Sequence, residues 1–223
     1  MTDQFALLIL IALGVLLLGW YIAGNELMRR RARRLALWSK RVADPLGGTQ
    51  YIRWLTSQSY RLEVEHPHAP FASVALVGLV ESWDVPMVWL WNRWHGRRDL
   101  VLVQMALRQQ PIWGLELYRP GSLLAGDARY AARQEGWPEE PLDDLCLAAG
   151  GAAPADLARR LLAELGERQV DLVRLAVRRR GPHLSLALNV PDPTRLDPAD
   201  FARLLERLAA ATLRYATPPS PAG

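Results

Sequence analysis

Residues 5–23 read FALLILIALGVLLLGWYIA, from Phe5 to Ala23, nineteen positions without a charged side chain. As a helix rising about 1.5 Å per residue, this run spans roughly 28 Å, close to the hydrocarbon thickness of a bilayer. Trp20 and Tyr21 stand near its end, where aromatic belts form, and an arginine cluster follows. A cleaved signal peptide is the competing reading. Its leading segment would be basic, whereas MTDQ carries Asp3 and no Lys or Arg, and Tyr21-Ile22-Ala23 is a poor cleavage site. The run is therefore expected to be an uncleaved anchor, residues 1–24. The positive-inside rule then puts the N-terminus outside the cell membrane and everything after the arginines in the cytoplasm. Gly19 and Ala23 form a small-xxx-small pair through which two such helices could pack as a homo-oligomer. Gly and Ala are common in membrane spans, however, and composition alone accounts for the pair.

The positive charge sits beside this run. Between Asn25 and Arg41 there are seven basic residues (Arg29, Arg30, Arg31, Arg33, Arg34, Lys40, Arg41) and one acid, Glu26. From Val42 onward there are 20 basic and 21 acidic residues. The isoelectric point near 9.6 thus reflects one short block, and the body lacks the charge excess of a nucleic-acid binder. Residues 25–45 are predicted to be a basic juxtamembrane helix with a loose apolar stripe of Leu27, Leu35, Trp38 and Val42. Asp44-Pro45-Leu46-Gly47-Gly48 ends it. Near anionic headgroups each Lys or Arg contributes about 1 kcal/mol. Arg29, Arg30, Arg31, Arg33 and Arg34 are therefore candidate membrane contacts as well as a topology signal. A stalk this short keeps the following domain close to the bilayer.

That domain is expected to be α+β. Half of all residues are hydrophobic, enough for a packed core. Cys146 is the single cysteine, which excludes a disulfide within the chain and a cysteine zinc site, and suits a reducing compartment. Over residues 46–150 the signal is mostly strand. Tyr60, Leu62 and Val64 alternate with charged neighbours, FASVALVGLVE covers 71–81, LVLVQMAL covers 100–107, and a fourth strand covers 112–118. Short links favour an antiparallel meander. Residues 121–153 are less regular, and the acidic stretch Pro138 to Asp144 reads as a solvated loop rather than a cation site. Residues 151–216 read as an α-β-β-α unit with its helices packed on one face. Leu157, Leu161 and Leu165 mark its first helix, and Leu184, Leu186, Leu188 and Val190 its cleanest strand. Asp197-Pro198 caps its last helix. Residues 217–223 are expected to be a disordered tail.

Four of the nine tryptophans fall between Trp83 and Trp94. As a strand, residues 84–95 give no clean face. As a helix, Met87, Leu90, Trp91 and Trp94 line up at i, i+3, i+4 and i+7, with Asp84 as cap, Pro86 in the first turn and Gly96 at the end. The leading expectation is that this stripe closes the open face of the sheet. The second is an interfacial helix touching lipid, helped by Arg93, Arg97 and Arg98. The third is a partner or ligand site, since Trp and Arg are enriched at binding hot spots.

Phosphate-loop, dinucleotide, nucleophile-elbow and zinc-protease signatures are all missing from the sequence. His66 and His68 flank Pro67 without a third ligand at motif spacing, and His95 and His183 are isolated. Cys146, between Leu145 and Leu147, reads as a small buried hydrophobe. The run Arg178 to Arg180 reads as a solvated turn before it reads as a phosphate or lipid clamp. No catalytic residue, metal or cofactor is assigned. The expected function is a membrane-anchored cytoplasmic scaffold or accessory subunit that recruits a protein partner or joins a membrane complex. The alternative is a membrane-proximal sensor or enzyme whose pocket gathers Arg93, His95 or His183.

Overall fold

A computed structural model describes residues 2–81, 83, 86–94, 98–166, 171–189 and 196–214. Asp84, His95, Gly96, Arg97, Val190 and the tail at 217–223 lie outside them, as do the side chains of Asn92 and Arg93.

The apolar run and the basic block form one continuous helix, α1 (Thr2–Ala43). It is the one described helix long and apolar enough to cross a membrane, and only 6 % of its most apolar window is buried. Its second half behaves differently. Met28, Ala32, Leu35, Trp38, Val42 and Ala43 are all buried in the main core. The stripe expected on a free stalk is thus a wall of the domain, and the stalk does not hang between anchor and domain. Pro45, lacking an amide hydrogen to donate, stops the helix in a short 3-10 turn, Asp44–Leu46. Gly47 and Gly48 follow with φ of 72° and 79°. A side chain on Gly47 would enter the His68 ring, and one on Gly48 would meet the Glu65 carbonyl.

The chain then builds one nine-stranded antiparallel sheet from β1 (Thr49–Trp54), β2 (Ser59–Glu65), β3 (Phe71–Leu79), β4 (Leu100–Leu107), β5 (Leu115–Tyr118), β6 (Glu139–Leu142), β7 (Leu145–Ala149), β8 (Asp171–Val177) and β9 (Leu184–Asn189). The order is β1-β2-β3-β4-β9-β8-β5-β7-β6. The first three expected strands form a meander as β2, β3 and β4, extended at the edge by β1, which is not among them. The expected fourth forms as β5 but does not join the meander: the late hairpin β8–β9 inserts between β4 and β5. Leu184, Leu186 and Leu188 oppose Met105, Val103 and Val101 in register, so the hairpin continues the buried row of β4. Alternation marks each strand but carries no information on which neighbour it will pair with.

The other helices are α2 (Pro86–Trp94), α3 (Ala125–Gln134), α4 (Ala152–Gly166) and α5 (Pro198–Arg214). The expected α-β-β-α elements all form. Asp197 caps α5 by accepting a hydrogen bond from the Asp200 amide at 2.9 Å. Helix α5 packs between α1 and α4, with the Trp38 ring 5.1 Å from Phe201. Leu157, Leu161, Leu165, Phe201, Leu204, Leu205 and Leu208 are buried beneath this layer, each contributing about 1.5–3 kcal/mol. Helix α3 covers the opposite face through Ala125 and Ala128, packed on Tyr118. The acidic stretch is also ordered. Glu139–Leu142 pairs with Leu145–Ala149, and Asp143, at φ 54°, makes the tight turn of the hairpin rather than a solvated loop.

Two glycines predict opposite effects. A methyl on Gly78 would run into the buried Tyr60 ring, whose hydroxyl is 2.6 Å from Ser39 Oγ of α1. Gly78→Ala is expected to lower stability by about 1–3 kcal/mol through overpacking. Gly126, inside α3, has open space around its Cβ position, so Gly126→Ala should stabilise by about 0.4–1 kcal/mol. Thermal unfolding of the detergent-solubilised chain checks both signs.

Candidate membrane-facing surface

The connection from β3 to β4 carries α2 down toward the apolar half of α1. Trp20, at the end of the apolar run, donates its indole Nε1 to the Trp83 carbonyl at 3.0 Å. Its ring lies 6.0 Å from Trp89, and Trp89 lies 4.9 Å from Trp83. The Arg31 guanidinium stacks over Trp83 at 4.6 Å and stands 4.0 Å from Asp99, just before β4. Three tryptophans and one arginine therefore fasten α2 to α1 at the level where the uncharged run ends.

Trp89 uses the inner side of α2. The predicted stripe points the other way: Met87 is 77 %, Leu90 51 %, Trp91 61 % and Trp94 84 % exposed. This corrects the leading expectation. The helix forms over residues 86–94, but its apolar stripe does not close the sheet. The periodicity was legible, and its direction was not, because the tryptophan that packs inward, Trp89, lies off the stripe. Exposed apolar patches of this kind mark protein, membrane or ligand contact surfaces.

Arg29, Arg30, Arg33 and Arg34 are exposed on α1, whereas Arg31 is half-buried in the tryptophan cluster. Arg30 bonds Glu26 Oε1 at 2.7 Å and holds that carboxyl below its usual range, first by this bond and then by its charge. Arg98 is half-buried; Arg97 lies outside the described residues.

Of the residues of the alternative reading, His183 is the one whose side chain is described; His95 and the Arg93 side chain lie outside the described residues. His183 is buried at the opposite end of β4 from α2, where its Nδ1 accepts the Leu107 amide hydrogen at 2.9 Å. It fixes the hairpin β8–β9 to β4. His68 packs against Gly47 and joins the 3-10 turn through its amide, which donates to the Leu46 carbonyl. Among the described residues, no three His, Cys, Asp or Glu side chains converge as a metal site.

Two polar clusters escaped the sequence reading. Glu116 of β5 is fully buried and takes both Arg174 nitrogens, at 2.9 and 3.0 Å, and Arg178 Nη2 at 2.6 Å. The run Arg178 to Arg180 is thus partly spent on the fold, since Arg179 also donates to the Ile112 carbonyl at 2.9 Å. Nearby, Tyr118 donates to Glu139 Oε2 at 2.7 Å, and Cys146 Sγ is 3.9 Å from the same oxygen. Burial, then the bonds to Cys146 and Glu139, push the Tyr118 phenol well above its usual range. Cys146 is half-buried at this polar edge rather than a fully buried hydrophobe. The Glu116 partners, 58 and 62 positions away, leave no mark in local spacing; only a charged residue, Glu116, amid the apolar LELY strand hints at them. Compared with known proteins, the chain matches no protein-family model and no curated protein.

Proposed function

We propose that this chain is a membrane-anchored binding module, an assembly scaffold or accessory subunit, seated on the cytoplasmic face of the cell membrane. The outward apolar stripe of α2, fastened beside Trp20, carries this reading. The apolar run of α1 spans the bilayer. Helix α2 lies in the interface with Met87, Leu90, Trp91 and Trp94 against the acyl boundary, as interfacial helices do. Arg29, Arg30, Arg33 and Arg34 begin about 9 Å beyond Ala23 along the helix, at headgroup level. Because the second half of α1 is core, the seat fixes the orientation of the whole sheet and not merely its distance from lipid.

The reading separates from a sensor or enzyme because an assembly module requires an oriented surface and no converged polar pocket. Its lipid arm is testable by substitution. Replacing Arg29, Arg30, Arg33 and Arg34 by Gln should cost about 1 kcal/mol of attraction per charge on anionic bilayers. Chains reconstituted in mixed bilayers should then lose their enrichment of anionic lipid, read by fluorescent-lipid energy transfer from the native tryptophans. Equal enrichment in both proteins would remove the arginines from the seat.

A further inference from the structure

We infer that the tip of the β1–β2 hairpin, Trp54 to Tyr60, is a second lipid contact that enters the headgroup layer beside α2. The inference rests on the seated-module reading and adds a further point to that seat. The direction of the tip follows from the sheet. Helix α1 packs on β2 and β3. Near its anchor half, Trp20 bonds Trp83, just past β3; beyond its other end, Leu46 accepts the amide of His68, in the link from β2 to β3. The β1–β2 turn lies at the Trp83 end. Leu55 donates its amide to the Ser59 carbonyl, Ser59 stands across from Leu79, and Leu79 across from Leu100. The turn and α2 therefore leave the same end of the sheet, the end that faces the anchor.

The depth matches the bilayer. Arg31 of α1 reaches Asp99, the residue before β4, so this end of the sheet is level with Arg31. Along the helix, Arg31 is about 12 Å beyond Ala23. The turn projects about 6 Å back toward the anchor, two residues of extended chain. The remaining gap of about 6 Å is the thickness of one headgroup layer.

The tip also has the chemistry of a lipid contact. From Gln50 to Leu62 there is no acid, and from Trp54 to Tyr60 no charge at all. Trp54 is 46 %, Leu55 49 % and neighbouring Leu79 41 % exposed. The Trp54 ring stands edge-on to Tyr60 at 5.7 Å, and tryptophan is enriched at membrane interfaces. Arg53 and Arg61 bracket the tip. Unpaired main-chain donors are costly near lipid, and those of the turn are satisfied inside it. The Leu55 and Thr56 amides donate to the Ser59 carbonyl at 3.0 and 3.2 Å, and the Gln58 amide to Thr56 Oγ1 at 3.1 Å. The acids at this end of the sheet are withdrawn: Glu81 and Asp99 are buried, and Asp171 is paired with Arg119.

The test uses the full chain carrying Cys146→Ser in nanodiscs of phosphatidylcholine and phosphatidylglycerol. Nitroxides are attached singly at Ser57, Leu90 and Gln109, and depth is read from collisions with oxygen against a neutral nickel chelate. The Ser57 label should read within about 7 Å of the hydrocarbon edge. The Gln109 label, further out by the length of β4, about 26 Å, should read as bulk water. Leu55→Asp with Leu79→Asp, both at exposed positions, should raise nickel collisions at Ser57 to the Gln109 level. The Leu90 label and the unfolding temperature should not move. Bulk-water accessibility at Ser57 with lipid-like accessibility at Leu90 would overturn the tip contact and leave α2 seated. Water at both would overturn both, and lipid at Ser57 with water at Leu90 would keep the tip and unseat α2. A Ser57 label indifferent to the two aspartates would also overturn the proposal.

Discussion

Glu116→Ala is expected to destabilise the protein by about 3–5 kcal/mol, because it removes one member of a buried ion cluster and strands the others. Glu116 is fully buried, and the Arg174 side chain that it binds in fork geometry is only 13 % exposed. Without the carboxylate, the Arg174 guanidinium stays in a low-dielectric site with no counter-charge. The Arg178 side chain is 43 % exposed and can turn into water. Arg178→Ala should therefore cost no more than about 1 kcal/mol, the range of solvent-screened pairs. The asymmetry is the content of the prediction. Equal losses from Glu116→Ala and Arg178→Ala, measured by chemical unfolding in detergent, would mean that burial does not set the cost. Replacing Glu116 and Arg174 together by apolar residues should recover much of the loss, since a buried pair is worth little against a well-packed apolar isostere.

Replacing Met87, Leu90, Trp91 and Trp94 together by Ser should detach α2 from lipid while leaving the domain folded. All four side chains are exposed in the fold, so their loss removes little internal packing, and surface substitutions of this kind usually change stability by less than about 0.5 kcal/mol each. On the proposed seat the same side chains would bury apolar area in the bilayer, worth on the order of several kcal/mol for the set. A nine-residue helix is marginal in water by itself. In nanodiscs the amides of residues 86–94 should thus exchange at least about tenfold faster in the variant, with β3 and β4 unchanged. If exchange in α2 is the same in both proteins, the Trp20–Trp83–Trp89 cluster alone holds the helix and lipid contributes nothing.

The sequence is legible where one segment carries its own period. Alternation in Tyr60-Leu62-Val64 and in Leu184-Leu186-Leu188 marks two strands directly. The 3.6-residue pattern of Leu157, Leu161 and Leu165 marks a helix, and Asp197-Pro198 its successor's start. Long-range pairing is not legible. Nothing in β4 says that β9, some eighty positions later, will lie beside it. The buried Ala32 and Ala36 of α1 read as neutral within an arginine-rich block, so the block looked like a stalk. The sense of α2 was hidden for a related reason. A four-residue apolar stripe predicts a buried face in a soluble domain, and the same stripe beside an anchor can face lipid.

Site-directed spin labelling at positions 90 and 94 tests the seat most directly. Cys146→Ser removes the native thiol, and Leu90→Cys or Trp94→Cys supplies the attachment point in the full chain, reconstituted in a bilayer. The account predicts that nitroxides at both positions collide more with oxygen, which concentrates in the acyl region, than with a water-soluble nickel chelate. A label at Gln109, exposed in the turn after β4 at the end of the sheet away from α2, should show the reverse. Water-like accessibility at both 90 and 94 would contradict the account, because the stripe of α2 would then face solvent and not lipid.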